Sequence, residues 1–355
     1  MTISTLAATS APVSAAVRSP SLQKQVDTAL NQLSKQTSID SNGEITIDMT
    51  ARKLTDDGSS GSGRIHIDFS TRKQPSGTTT PNSEGRIALD QLTVQSQGGT
   101  PGSINLDAPA AIQWKVVNNT FYGRIEELPT LLTQALKGAG GQDPSSYIGM
   151  WGALSKTDAE ALLNNFSLGP THSLSPALPS QEQVDIVENL KSMSVIQVHS
   201  VESRWTDAAG HSIVRVRGQI NPAIVPVLKK IQLSTIAASD PQRASKIQAT
   251  TIQFNKMQQL LKGVQVAVNL DQTTDSIERI EFGGTTNSLG ALDPVSQAFP
   301  SGSQTRQTTA VNVHYAVGIS YSKDNGQPIS VPSNTVSLKD LISNYFSSLT
   351  KKTST

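Results

Sequence analysis

The chain has 355 residues, a formal net charge of +1 and no cysteine. Scattered Lys and Arg at near-zero net charge give no electrostatic basis for nucleic-acid binding, and the missing cysteine excludes disulfides, thiolate zinc sites and a cysteine nucleophile. Only 36% of residues are hydrophobic and 16% charged, with Ser, Thr, Gln, Asn and Gly filling the difference, a composition commoner outside the cytoplasm than within it. The absence of cysteine is compatible with export.

Residues 1–20 lack a basic n-region and a continuous apolar h-region, so they read as a flexible leader rather than a signal peptide. An export signal or membrane anchor is accordingly expected upstream of Met1. No stretch approaches the roughly 18 consecutive apolar residues of a transmembrane helix. Residues 21–350 are expected to form a single domain, with a helical insertion around 128–193, and 351–355 a short tail.

Leu22, Val26, Leu30 and Leu33 recur at three- and four-residue spacing, which predicts an amphipathic helix over 21–35. Segment 43–54 then alternates Ile45, Ile47 and Met49 with Thr46, Asp48 and Thr50, and 64–70 repeats the pattern with Ile65, Ile67 and Phe69. These are strands with one apolar and one wet face, joined by the Gly/Ser-rich linker 55–63. After a second polar loop, 74–84, the segment 85–97 carries Ile87, Leu89, Leu92 and Val94, which fit a strand only with a change of phase near Asp90, the mark of a bulge. Strands 103–106, 111–117 and 120–126 complete a meander, the last two joined by a tight turn at Asn118-Asn119.

The pattern turns helical at 131–137, 147–154, 158–166 and 181–193. Strands return at 195–205 and 212–220. Helices over 222–233 and 241–261 follow, each opening with Asn or Asp and then Pro, the sequence of an N-cap and first turn. A hairpin over 264–269 and 276–284 leads through the loop 285–304 to the clearest strand of the chain, 311–321. There Val311, Val313, Tyr315, Val317, Ile319 and Tyr321 alternate with small or polar residues. A last amphipathic helix is predicted over 337–349. The recurring order allows two related half-units within one continuous sheet.

No catalytic or cofactor motif accompanies these elements. His66, His172, His199, His211 and His314 never occur at metal-ligand spacing, so no metal is expected. No GxSxG elbow appears. The adjacent pairs Asp56-Asp57 and Glu126-Glu127 point apart on an extended chain and cannot face one another across a glycosidic bond. The glycine run 138–141 has neither a preceding buried strand nor a following Lys-Ser/Thr pair, so it cradles no phosphate.

Three passages carry a family resemblance. Val214-Arg215-Val216-Arg217-Gly218-Gln219-Ile220 leads into a helix rich in Leu and Lys; 264–269 reads VQVAVN, followed by Asp271 and the strand 277–282; and 319–332 reads ISYSKDNGQPISVP. Together they resemble the closing half of the LolA-like and LppX/LprG-like bacterial envelope lipoproteins. The resemblance implies an unclosed antiparallel barrel, covered by helices, that carries a lipid or acylated molecule in its interior and has no catalytic apparatus. The chain lacks the lipobox cysteine of the anchored members, and its helical insertions and Gly/Ser loops are longer.

The expected fold is therefore α+β, a strongly curved antiparallel sheet (an unclosed half-barrel) with helices covering its concave face. The expected function is non-enzymatic: an extracytoplasmic protein of the cell envelope, binding a lipid or other hydrophobic ligand and meeting an envelope protein partner, without cofactor or nucleic acid. The candidate cavity lining is Ile45, Ile47, Ile65, Ile67, Phe69, Trp114, Val313, Tyr315 and Val317, with Met150 and Trp151 on a short apolar helix acting as a lid. The alternative is a cell-surface interaction module with the same sheet and a solid core.

Overall fold

The computed structural model describes residues 20–53, 60–76, 81–97, 102–138, 143–155, 157–158, 193–230, 251–252, 254–255, 258, 261, 263–286 and 309–341. The expected helices over 158–166 and 181–193, most of the helix over 241–261, the leader and the tail lie outside the described residues.

One 13-stranded sheet organises the chain. Its first meander comprises β1 (Ile39–Lys53), β2 (Ser60–Gln74), β3 (Asn82–Gln97), β5 (Ala110–Val117), β6 (Thr120–Glu127) and β7 (Trp151–Leu154), with the short β4 (Gly102–Asn105) on β3. The second comprises β8 (Ile196–Thr206), β9 (Ser212–Ile220), β10 (Gln265–Asp271), β11 (Ser276–Thr286) and β12 (Thr309–Ser322). The two join where β12 pairs along β1, and β13 (Thr335–Ser337) adds to β7, giving the order β13-β7-β6-β5-β3-β2-β1-β12-β11-β10-β9-β8. The sheet is unclosed, since its end strands β13 and β8 do not pair with each other. It is not wholly antiparallel: β13 runs parallel to β7, because its chain arrives from the middle of the sheet instead of from a hairpin.

Local chemistry explains the joints. Asn118 and Asn119 both take positive φ, 50° and 65°, the two-residue turn whose twist matches paired strands. The phase change in β3 is a bulge: His66 pairs with Gln91 but Ile67 with Leu89, leaving Asp90 as the extra residue. At Asn221 the side chain accepts the main-chain N–H of Ala223 at 3.1 Å, capping the helix that begins at 224. The polar linkers are shorter than expected, as Ser60–Gly63 already belongs to β2 and Asn82–Glu84 to β3.

Register puts the apolar residues of both meanders on one face. Ile45 stands between Val317 and Ile67, and Ile47 between Tyr315 and Ile65; the row continues to Leu89 and Leu92 on β3 and to Phe282 and Ile280 on β11. Over the second meander this face is sealed. Helix α1 (Pro20–Lys35) sets Leu22, Val26 and Ala29 against Val214, Val216, Val268 and Leu270, and these residues form a dry core. The side-chain amide of Gln23 donates to Ile196 O at 2.7 Å and accepts from Val198 N at 2.8 Å, pairing with the outer β8 as a strand would and blunting that edge. Over the first meander the same face is open: Ile87 is 43% and Ile112 49% exposed, while Val26 and Leu270 are fully buried.

After β12 the chain returns across the other, polar face. The segment 323–334 spans seven strand spacings from β12 to β13, about 34 Å at ~4.8 Å each, against a reach of roughly 43 Å when extended. It therefore runs as a strap with little slack. Gln74 ties its start, donating to Asp324 Oδ2 and Gln327 O at 2.8 and 2.6 Å and accepting from Ile329 N at 3.0 Å. Ile329 then packs on Val117, Tyr122, Trp151 and Ala153.

Candidate functional site

The open half of the apolar face is shaped by glycine. One transverse rung runs Gly85 (β3), Trp114 (β5), Gly123 (β6), Gly152 (β7), three of its four positions lacking a side chain. The Trp114 indole leans over Gly85, where a Cβ would lie 2.7 Å from the ring. The remaining glycines leave a trough. Above it is a cavity of about 460 Å³, lined by Ile112, Trp114, Phe121, Ile125, Tyr147, Met150, Leu338 and Leu341, with Gln113 and Arg124 as its polar members. Leu338 settles against Gly152, 2.9 Å from where a Cβ would be. The walls are mainly apolar side chains of β5 and β6 together with Met150 and Leu338, and the volume is in the size range of small-molecule sites.

Similar close approaches recur along the face. The Phe69 ring covers its cross-strand partner Gly43, and Tyr315 covers Gly284. Glycine beneath a ring lets the ring lie flat on the backbone, a device that accompanies bends in sheets.

The expected lining residues divide as follows. Ile45, Ile47, Ile65, Ile67, Phe69, Trp114, Val313, Tyr315 and Val317 share the apolar face by register. Of these Trp114 lines the cavity, whereas Val313 is buried and Tyr315 packs against the core under α1. Met150 also lines the cavity.

Trp151 does not, and the lid helix expected over 147–154 is absent. A single 3-10 turn, Pro144–Tyr147, is capped by the extended Ile148, Gly149 follows with φ +81°, and Trp151 opens strand β7 with its ring on the polar face. There Arg124 and Lys115 stand 5.0 and 5.8 Å from the ring centroid, a cation–π stack. Sequence reasoning missed the glycine rung, Leu338 and Leu341. Gly85, Gly123 and Gly152 are visible in the sequence, but only the strand pairing aligns them.

The polar face carries a ladder of charges. Glu202 accepts from Arg215 and Arg217 at 3.0 and 2.7 Å, Arg215 also pairs with Glu281, and Arg279 bridges Glu281 and Glu44 at 2.7 and 3.1 Å. Hydrogen bonds from Arg217 and, secondarily, Arg215 hold the Glu202 carboxyl down at about 2. Burial opposes ionisation of Glu281, but the two arginines outweigh it and leave its pKa below the ordinary value. Further along, Glu44, His66 and Asp68 converge, and Asp90 abuts Asp68. Burial first, then the neighbouring Asp68 carboxyl, raises the Asp90 pKa. Among the described residues, Glu44, His66 and Asp68 are the group whose donor atoms lie close enough to share a metal ion.

The chain matches no protein-family model and no curated protein.

Proposed function

We propose that this protein is a non-enzymatic binding protein that carries a lipid or other hydrophobic molecule along the open apolar face of its sheet, as the LolA-like resemblance implies. The single observation that supports the reading is the glycine-floored apolar cavity of about 460 Å³ beneath Leu338, continuous with an apolar face that α1 seals at one end and leaves exposed at the other. An acyl chain laid there gains about 0.8 kcal/mol per CH₂ removed from water. In this reading the sheet is a curved half-barrel with its helices on the concave side. The protein works in the cell envelope or outside the cell, receiving its cargo from, or passing it to, a membrane or an envelope protein. Among the described residues no helix is long and apolar enough to cross a membrane.

Native mass spectrometry of the purified protein, followed by organic extraction and lipid analysis, tests the reading. A co-purifying lipid is expected, together with uptake of a fluorescent fatty-acid probe. Gly123→Leu fills the trough and is expected to abolish uptake while leaving the circular dichroism spectrum unchanged. The Phe121 ring, the nearest neighbour of a Cβ there at 3.0 Å, is 40% exposed and free to turn aside. A bare mass with no probe uptake would overturn the carrier and favour a solid-core interaction module.

A further inference from the structure

The polar face holds an arrangement independent of the cavity. Glu44 on β1 stands directly opposite Asp68 on β2, a like-charge pairing that destabilises a strand pair unless something neutralises it. The bulge in β3 adds a third carboxyl, for it turns the extra residue, Asp90, onto Asp68. One oxygen of Asp90 is shut off from solvent and accepts no hydrogen bond. A carboxylate oxygen in that position is costly without a partner, and bulges commonly re-aim side chains at functional sites.

His66, two residues before Asp68 on the same face, turns Nε2 toward this group, 3.3 Å from Asp68 Oδ1. Its Nδ1 meets Thr46 Oγ1 at 3.0 Å. An imidazole held at one nitrogen by an outer hydroxyl, with the other nitrogen facing carboxylates, is oriented as metal-ligating histidines are. The donor atoms of Glu44, His66 and Asp68 all lie within 4.8 Å of one another. Donors about 2.1 Å from a common ion stand at most about 4.2 Å apart, so modest rotamer adjustment brings them to one centre. Glu44 is held by Arg279, but Arg279 has other acceptors in Glu281 Oε1 and Ser320 Oγ, at 2.7 and 2.9 Å, and can release it. Arg86, the cation beside Asp90, is committed to Glu126.

We propose that Glu44, His66 and Asp68 bind a divalent first-row transition ion of the zinc type, with Asp90 behind Asp68 as an outer carboxyl that orients it. The imidazole sets this donor group apart from the all-oxygen cages of calcium and magnesium. The ion clamps β1 to β2 at the middle of the sheet, with β3 engaged through Asp90, on the side away from the apolar face.

The test is calorimetric titration of chelator-treated, full-length protein with zinc chloride, and separately with calcium chloride. One zinc ion per chain is expected, with no calcium uptake. His66→Ala and Asp68→Asn should each weaken zinc by 100-fold or more, and Thr46→Val or Asp90→Asn by roughly 10-fold. His314→Ala, a histidine of the same face outside the group, should change nothing. As a second readout, zinc should raise the thermal midpoint of the wild type and leave that of Asp68→Asn where it was, which serves even if His66→Ala fails to fold. Absence of zinc binding, binding unchanged in both His66→Ala and Asp68→Asn, or a preference for calcium would each overturn the proposal.

Discussion

The indole of Trp114 lies on the backbone of Gly85, its cross-strand partner, so closely that a Cβ at 85 would stand 2.7 Å from three ring atoms. The pair sets the height of the cavity floor. Gly85→Ala lifts the ring out of its rotamer and into the cavity, an overpacking change that costs about 1–3 kcal/mol. The expected result is a lower urea midpoint with a shifted tryptophan emission and reduced uptake of a fatty-acid probe. An unchanged midpoint would show that the ring has another resting place.

Burial differs between the two halves of one apolar face, and mutation should report the difference. Val26 is fully buried under the second meander, whereas Ile112 is 49% exposed on the first. Val26→Ala should destabilise by about 1.5–3 kcal/mol. Ile112→Ala removes more atoms yet should cost under about 1 kcal/mol, because those atoms are already half in water. Denaturant unfolding of the two variants side by side checks this. An equal or larger loss at Ile112 would mean that the first meander is packed like the second.

Gln74 ties the returning strap with three hydrogen bonds, to Asp324, Gln327 and Ile329. Gln74→Ala leaves the buried N–H of Ile329 without its acceptor, at a cost of about 1–3 kcal/mol. The strap also delivers β13 and then Leu338, so the loosening should spread along the chain from 323 to 338. Hydrogen exchange should show faster exchange at 323–337 and in β7, with β9 and β10 unaffected. Exchange confined to 323–330 would show that β13 holds itself on β7.

Much of the sheet was legible locally. The alternation over 311–321 marks β12 to within two residues, the broken phase at Asp90 marks a bulge, and Asn118-Asn119 marks a turn, because each is set by neighbouring residues alone. Strand β7 was not legible: Tyr147, Ile148, Met150 and Trp151 have the spacing of a helix face, and only the positive φ at Gly149 and pairing with β6 convert the segment to a strand. The three-residue β13 is too short to alternate, and its place is fixed by a strap crossing the whole first meander. The same holds for the sites. Gly85, Gly123 and Gly152, or Glu44 and His66, are strangers in sequence that hydrogen-bond register makes neighbours.

The edge strand β8 is held by charge as well as by Gln23, and this makes its stability depend on acid. Glu202, the β8 carboxylate that receives Arg215 and Arg217, has its pKa lowered from 4.5 to about 2, chiefly by the Arg217 hydrogen bond. A carboxylate whose folded pKa lies below its unfolded one stabilises the fold at pH above the unfolded value and loses that contribution as pH falls through the folded one. Glu202 should therefore contribute fully at pH 7, begin to weaken below about 4.5, and contribute almost nothing near 2. Its side chain is 30% exposed, so solvent screening holds the neutral-pH value to about 1 kcal/mol. Glu202→Gln should accordingly lower stability by that amount at pH 7, with the wild-type and variant curves converging toward pH 2. Urea unfolding of both proteins at pH 7, 4 and 2.5 measures the difference directly, and a gap that stays constant across the series would show that the arginines hold β8 through packing rather than through charge.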